Sequence, residues 1–348
     1  MSHLNFAEAG VIGLLQGITE LFPISSLGHA VLIPAIVGGQ WAKDLNVSAK
    51  ESPYLAFIVG LHVATALAMI IFFWRDWIRI IRAFFASLGH VASPEPGTRR
   101  FQPQGTDQML AWMIIVGTIP VGLAGVLLEH AFRTIFSKPT LTATFLFVNG
   151  LILLGGERLR RRGADTEARQ VLADQQFAAD RQRATVAAGG YGGGGGRHSS
   201  GQRAVKQEQA SLAVASDERV TRLGLLTAIG LGASQILALM PGISRDGIVM
   251  VSGMLRGLTR EDAARFSFLL SAPVIFAAGV LKIGDLTGPL GNGIRGQVLF
   301  GSVLSGIGAY LALKFLVRYL SDASRTLTPF AIYCLAAGAG SLIYLTVK

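Results

Sequence analysis

The sequence predicts an all-α polytopic membrane protein: an inverted-topology repeat with six transmembrane helices and two re-entrant helical hairpins. Three observations carry this reading. Of the 348 residues, 51% are hydrophobic and only 15% charged, against roughly 25% charged in soluble domains, so lipid is the natural solvent for most of the chain. Apolar stretches long enough to cross a bilayer, about 20 residues at about 1.5 Å each, recur from end to end. Two further apolar regions are interrupted by polar turns that resemble each other.

The elements follow in order. Residues 1–5 lack a basic n-region, so no removable signal peptide is expected. The first interrupted region, 7–38, is broken at 23–28, where Pro23 ends one half-helix and Gly28 lets the chain reverse. Full spans are expected at 53–74, 108–128 and 139–159. Residues 157–222 then hold twelve Lys or Arg, eight Asp or Glu and a glycine run at 189–196 broken by Tyr191. No core can be built from that composition, so a disordered cytoplasmic insert is expected there. The second interrupted region, 223–258, is broken at 241–247 and is followed by spans at 263–283, 298–319 and 327–347. The chain thus divides into a first repeat, 1–156, the insert, 157–222, and a second repeat, 223–348.

Charge sets the orientation. The sum is 31 basic against 21 acidic residues, or +10, and in a membrane protein such an excess belongs to cytoplasmic loops rather than to nucleic-acid binding. Basic residues gather in 75–107, in the insert and near Tyr319. With those three connections inside, the six spans alternate, and the two interrupted regions become hairpins entering from opposite faces. Ile24-Ser25-Ser26-Leu27-Gly28 lines up with Ile243-Ser244-Arg245-Asp246-Gly247 at a constant offset, and Gln16 and Pro23 have approximate counterparts in Gln235 and Pro241. Matching turns within matching hydropathy point to duplication with inversion.

Irregular backbone at membrane depth must be buried in protein or line a wet cavity, so the two breaks are where chemistry is expected. Intramembrane ionisable groups are costly and functional by default. Gln16 and Glu20 are four apart and share a helix face, and two oxygen-bearing side chains on one face suit a hard cation. Ser25 and Ser26 supply hydroxyls and turn amides able to cradle an anion, while each also suits a helix cap. His29 opens the next half-helix, and Arg245 is a bidentate clamp for phosphate oxygens. Asp246 suits either pairing with Arg245 or capping the following helix, and His62, inside a full span, suits either a helix-to-helix hydrogen bond or a group supporting the site. Together these groups could hold and split a phosphate ester or anhydride.

The run from Gln16 to His29, Gln16-Gly17-Ile18-Thr19-Glu20-Leu21-Phe22-Pro23-Ile24-Ser25-Ser26-Leu27-Gly28-His29, resembles one signature motif of the bacitracin-resistance undecaprenyl-diphosphatases. Pro241-Gly242-Ile243-Ser244-Arg245-Asp246-Gly247 resembles the other. Gly117-Thr118-Ile119-Pro120 and the run from Phe266 to Pro273 also fit, so the similarity spans everything outside the insert. The resemblance implies an integral membrane phosphatase of the bacterial cytoplasmic (inner) membrane, its active site open to the periplasmic side. It would convert undecaprenyl diphosphate to undecaprenyl phosphate for peptidoglycan synthesis, with Mg2+ or Ca2+ as cofactor. It places Glu20, His29, Ser26 and Arg245 in catalysis, Ser25, Ser244, Arg245 and Gly247 in substrate binding, and Gln16 and Glu20 at the metal. The nucleophile stays open between Ser26, with His29 as its base, His29 itself, and water. Leu27 and Asp246 depart from the pattern, where a small hydroxyl residue and a serine are usual.

The expected partners are the polyprenyl diphosphate lipid and membrane lipids, without nucleic acid, and a homodimer is left open. The alternative from another class is a transporter or flippase of an anionic polyprenyl lipid, since broken helices and inverted repeats also build transporters. The unrelated acid-phosphatase-like lipid phosphatases need a histidine after their Ser-Arg element, and none follows Arg245.

Overall fold

The computed structural model describes residues 4–45, 53–92, 103–134, 138–186, 213–281, 284, 288, 293–322 and 324–347, and all regular structure among them is helical. A first hairpin of α1 (Phe6–Leu21) and α2 (Ser26–Val37) leads into the short α3 (Gly39–Asp44). The chain continues through α4 (Pro53–Phe72), α5 (Trp74–Ala92), α6 (Thr106–Thr134) and α7 (Pro139–Val186). Then come α8 (Ala213–Thr221) and α9 (Gly224–Ser234), which tightens into a 3-10 turn over Gln235–Leu239, and α10 (Arg245–Met254). Three long helices finish the chain: α11 (Arg260–Leu281), α12 (Arg295–Ser321) and α13 (Thr328–Val347). Five helices, α6, α7, α11, α12 and α13, are long and apolar enough to cross a membrane, and α4 meets the test only together with α5, at an 84° bend between them. The protein is therefore an all-helical, multi-pass membrane protein.

Local chemistry sets the two hairpins. The Asn5 side chain accepts from the Glu8 amide at 2.9 Å, and Glu8 accepts from the Asn5 amide at 3.0 Å, a reciprocal box that starts α1. Phe22 is extended (φ −71°, ψ 143°), as a residue before proline must be, and this ends the helix. The break is shorter than expected, 22–25, and its turning residue is Ser25 (φ 67°), which alone among the described non-glycine residues has positive φ. Gly28 is already inside α2; it serves close approach, because a methyl there would lie 3.1 Å from the Cα of Gly242. In the second hairpin Met240 is extended before Pro241, Gly242 turns the chain at φ 112°, and α10 begins at Arg245.

Two connections differ from expectation. The basic stretch 75–107 contains α5, whose arginines and apolar residues fall on separate faces of one helix. The insert is helical at both edges: α7 runs to Val186, and α8 lies within 157–222. Glu157, Ser216 and Asp217 are buried there. The reason is pairing that composition does not reveal: Glu157 holds Arg260 of α11 and accepts from the Leu327 amide at 3.4 Å. Residues 187–212, with the glycine run, lie outside the described residues.

Helices in lipid gain no hydrophobic attraction for each other, so close contact between small residues does the joining. Gly13 and Gly17 of α1 lie against the backbone of Gly301 and Ser305 in α12, and Gly232 of α9 lies against Gly117 in α6. Gly150 of α7 meets Ala331 and Leu335 of α13, while Gly338 of α13 meets Ala143 and Phe147 of α7. Charged residues are tied together at one end of the bundle. Arg79 binds Asp76, Asp107 and Asp217, Arg265 binds Asp76 and Asp217, and Arg219 forks onto Asp262 at 2.7 and 2.8 Å.

Candidate active site

The two breaks meet inside the bundle. Ser25 Oγ caps α2 by accepting from the Gly28 amide at 3.2 Å, and it also accepts from the Gly242 amide of the other break at 3.1 Å. Ser244 Oγ caps α10 in the same way, accepting from the Gly247 amide at 3.1 Å. Asn149, ten residues into α7 and so roughly 15 Å from its start, staples the pair. Its Nδ2 donates to the Pro23 carbonyl at 2.9 Å and its Oδ1 accepts from the Ser244 amide at 3.0 Å. The N-termini of α2 and α10 consequently converge at one place, where their unpaired amides and dipoles favour negative charge.

Glu20 is the hub. It lies in the last turn of α1, only 7% exposed. Its carboxylate accepts from Gln16 Nε2 at 2.8 Å, from the Ser26 hydroxyl and from the Arg245 guanidinium, and His62 Nε2 stands 3.4 Å away. The i, i+4 spacing of Gln16 and Glu20 brings them together as expected, while Ser26 arrives from the start of α2 and Arg245 from the start of α10. Arg245 Nε is buried without a hydrogen-bond partner, an orphan donor beside the carboxylate that an anion would satisfy.

His29 faces elsewhere. Its Nδ1 lies 2.6 Å from the Ser25 carbonyl, which can only accept, so Nδ1 carries the proton and Nε2 keeps its lone pair. Nε2 then accepts from the Tyr333 hydroxyl at 2.7 Å, and the two rings stack with centroids 5.7 Å apart. Ser26 therefore directs its hydroxyl to Glu20, not to His29. The same logic applies to His62: Nδ1 donates to the Ile58 carbonyl at 2.8 Å, and Nε2 accepts from Gln16 at 3.2 Å.

Each expected site residue has a definite place. Gln16, Glu20, Ser26 and Arg245 form one hydrogen-bonded cluster, and Ser25, Ser244 and Gly247 shape the helix starts around it. Asp246 does not pair with Arg245. It turns away and accepts from Ser267 at 2.7 Å and Ser271 at 2.8 Å, anchoring α10 to α11. Sequence reasoning missed Asn149 and Tyr333; of its two readings of His62, a helix-to-helix hydrogen bond or a group supporting the site, the structure shows the ring against both Gln16 and Glu20. An amide in the middle of an apolar span is the signal that marks Asn149; Tyr333 carries none, because its partner is 304 positions away.

The chain has clear relatives. The model of the family described as bacitracin resistance protein BacA matches residues 9–180 and 200–340. A protein of Mycolicibacterium paratuberculosis named undecaprenyl-diphosphatase is 53% identical over 347 residues, covering 100% of this chain and 99% of its own. Undecaprenyl-diphosphatase 2 of Frankia alni is 50% identical, covering 97% of each chain. Undecaprenyl-diphosphatase 2 of Chromobacterium violaceum is 34% identical, covering 98% of this chain and 99% of its own.

Proposed function

The chain belongs to the bacitracin resistance protein BacA family, and from that premise we propose that it is an integral membrane phosphatase that hydrolyses undecaprenyl diphosphate to undecaprenyl phosphate and inorganic phosphate. The observation that carries the reading is the Glu20 hub at the meeting of two half-helix N-termini: a carboxylate, a serine hydroxyl and an arginine converge where the backbone favours an anion. The isoprenoid tail lies in lipid between helices, so the protein need recognise only the head group. In the bacterial cytoplasmic membrane this reaction, on the periplasmic side, returns the lipid carrier to peptidoglycan synthesis and underlies resistance to bacitracin.

The geometry favours Ser26 over His29 as nucleophile. Glu20 takes the Ser26 proton as Oγ attacks the terminal phosphorus, and the bond to the bridging oxygen breaks to release undecaprenyl phosphate. Arg245, holding Glu20 through one nitrogen with Nε still unpaired, turns its remaining donors to the transferring phosphoryl oxygens. His29 Nε2 takes a proton through the Tyr333 hydroxyl bonded to it, that hydroxyl taking one in turn from the water that attacks the phosphoserine, and Ser26 Oγ recovers its proton from Glu20 as inorganic phosphate leaves. Tyr333 holds the ring for that step.

The donors present fit a divalent cation that shares its shell with substrate. Gln16 turns its Nε2 to Glu20 and His62, and its Oε1 accepts no hydrogen bond among the described residues. Glu20 and Gln16 can thus offer oxygens from one face. No group of three His, Cys, Asp or Glu gathers among the described residues, so the remaining ligands would be phosphate oxygens and water, as Mg2+ prefers. Such a cation, bound there, neutralises diphosphate charge.

We further propose that the two halves are an inverted repeat with six spans, α4, α6, α7, α11, α12 and α13, and two re-entrant hairpins, α1–α2 and α9–α10. The exchange of partners supports it: α1 packs on α12 of the other half and α9 on α6, while α7 packs on α13 through glycines on both. Ser25 and Ser244, aligned by sequence, each cap a helix by accepting from the amide three residues on, though Ser25 does so at positive φ and Ser244 from extended backbone. The ion-paired end with Arg79, Arg219 and Arg265 is the cytoplasmic one by charge.

The test is phosphate release from undecaprenyl or farnesyl diphosphate by the detergent-purified chain, with and without Mg2+. Metal-stimulated release is expected. Folded protein that releases none but moves labelled lipid between vesicle leaflets would assign the site to transport.

A further inference from the structure

Away from the site, α5 leaves α4 at 84°; with α4 taken as a span, as proposed above, that angle sets α5 along the membrane plane. Its two faces are chemically distinct. Trp74, Ile78, Ile81, Phe85 and Leu88 form an exposed apolar stripe, Phe85 being 64% exposed. Beside the stripe Arg75, Arg79 and Arg82, with Ile78 and Asp107, line an open cavity of about 430 Å³. An amphipathic helix of this kind sits at the boundary between acyl chains and head groups.

The three arginines are not equivalent. Arg79 is consumed by Asp76, Asp107 and Asp217 and is a fixed wall. Arg75 and Arg82 are exposed and have no ion pair among the described residues. The guanidinium of Arg75 rests over the Trp74 ring, 5.2 Å from its centroid, which holds its plane and leaves its N–H edge free. Two unpaired guanidinium groups over a cavity, on a helix whose neighbouring face enters the acyl layer, have the chemistry for a phosphate whose own chains continue into lipid. A free phosphate would satisfy the arginines but would leave the apolar stripe alongside without a purpose.

We propose that this cavity binds the head-group phosphate of an anionic phospholipid in the leaflet at the ion-paired end, with Arg75 and Arg82 as its ligands. Phosphatidylglycerol is the probe, phosphatidylcholine the zwitterionic comparison. Titration of the detergent-purified full chain, read by native mass spectrometry, should show preferential retention of phosphatidylglycerol. Arg75→Gln with Arg82→Gln should weaken that retention by roughly fivefold for each arginine removed, and Arg256→Gln, an exposed arginine elsewhere, should leave it unchanged. Phosphate release in detergent reports that each variant is folded; if the double variant loses it, Arg82→Gln alone is compared with Arg82→Lys, which should bind between Gln and wild type. Equal retention of phosphatidylglycerol by wild type and the Gln variants would overturn the proposal. Displacement of the lipid by inorganic phosphate at equal concentration would also overturn it, assigning the cavity to the free anion.

Discussion

The Ser26 hydroxyl and the Arg245 guanidinium end on opposite oxygens of one carboxylate, Oε2 and Oε1 of Glu20. They occupy equivalent positions of the two aligned turns, so each break contributes one group to a shared centre. In the proposed mechanism the nucleophile, its base and the phosphate clamp are thereby held together before substrate arrives, which is the preorganisation phosphoryl transfer requires.

Removal of the hub should be severe. Glu20→Ala leaves the hydroxyl without its base and Arg245 without its partner, and phosphate release should fall by about 10²–10⁴-fold. Arg245→Lys keeps the charge but loses the planar fork. It should retain more activity than Arg245→Ala, and far less than wild type. Steady-state phosphate release decides both, and near-normal turnover in either alanine variant would contradict the shared centre.

Tyr333→Phe removes the donor to His29 Nε2 and keeps the stacked ring. The expected effect is on turnover, about tenfold, with KM little changed and the melting temperature near that of wild type. Tyr333→Ala, which also removes the stack, should lose more. If Phe and Ala variants both turn over like wild type, the tyrosine does not position the histidine.

Asn149→Ala should loosen both breaks together. It orphans the buried Ser244 amide, at a cost of about 1–3 kcal/mol, and leaves the Pro23 carbonyl only the long contact to the Cys334 thiol at 3.9 Å. A lowered melting temperature in detergent and a raised rate of amide exchange at the two turns are expected. Exchange confined to one turn would show that Asn149 does not join them.

How much of this was legible without coordinates depends on the range of the interaction. The spans announced themselves because twenty apolar residues have few other fates in a chain this poor in charge. The breaks were legible because prolines and polar side chains stand in otherwise apolar runs. Their turning residues were misplaced in the first hairpin: Ser25 adopts the positive φ, held by the Gly242 amide, a contact from 217 positions away that no local pattern reports. Gly28 looked like the hinge and is instead the flat side on which the other break rests. Ser26 with Glu20 and Arg245 could be gathered from residue type alone, yet not their pairing: the Ser26 hydroxyl bonds Glu20, while the His29 imidazole is held by Tyr333. The edges of the insert were misread for the same reason, since Glu157 counts as polar composition until Arg260 closes on it.

Glycine contacts between helices should be as intolerant as they look. Gly17→Ala in α1 places a methyl into the backbone of Ser305 in α12, and strain of about 1–3 kcal/mol or outright misassembly is expected. Gly230→Ala in α9 meets nothing within 4 Å and should leave stability unchanged or slightly raised. Thermal unfolding of the two variants in one detergent makes the comparison, and equal stability would contradict the packing of α1 on α12.

The most direct measurement is to quench the enzyme during turnover of a diphosphate lipid labelled in its terminal phosphate and to locate the label by mass spectrometry. Label on Ser26, absent from Ser26→Ala and Glu20→Ala and accumulating in His29→Ala, is the predicted result. Label on His29, or turnover of wild type with no labelled residue under conditions that preserve both phosphoserine and phosphohistidine, would contradict attack by Ser26 with Glu20 as its base.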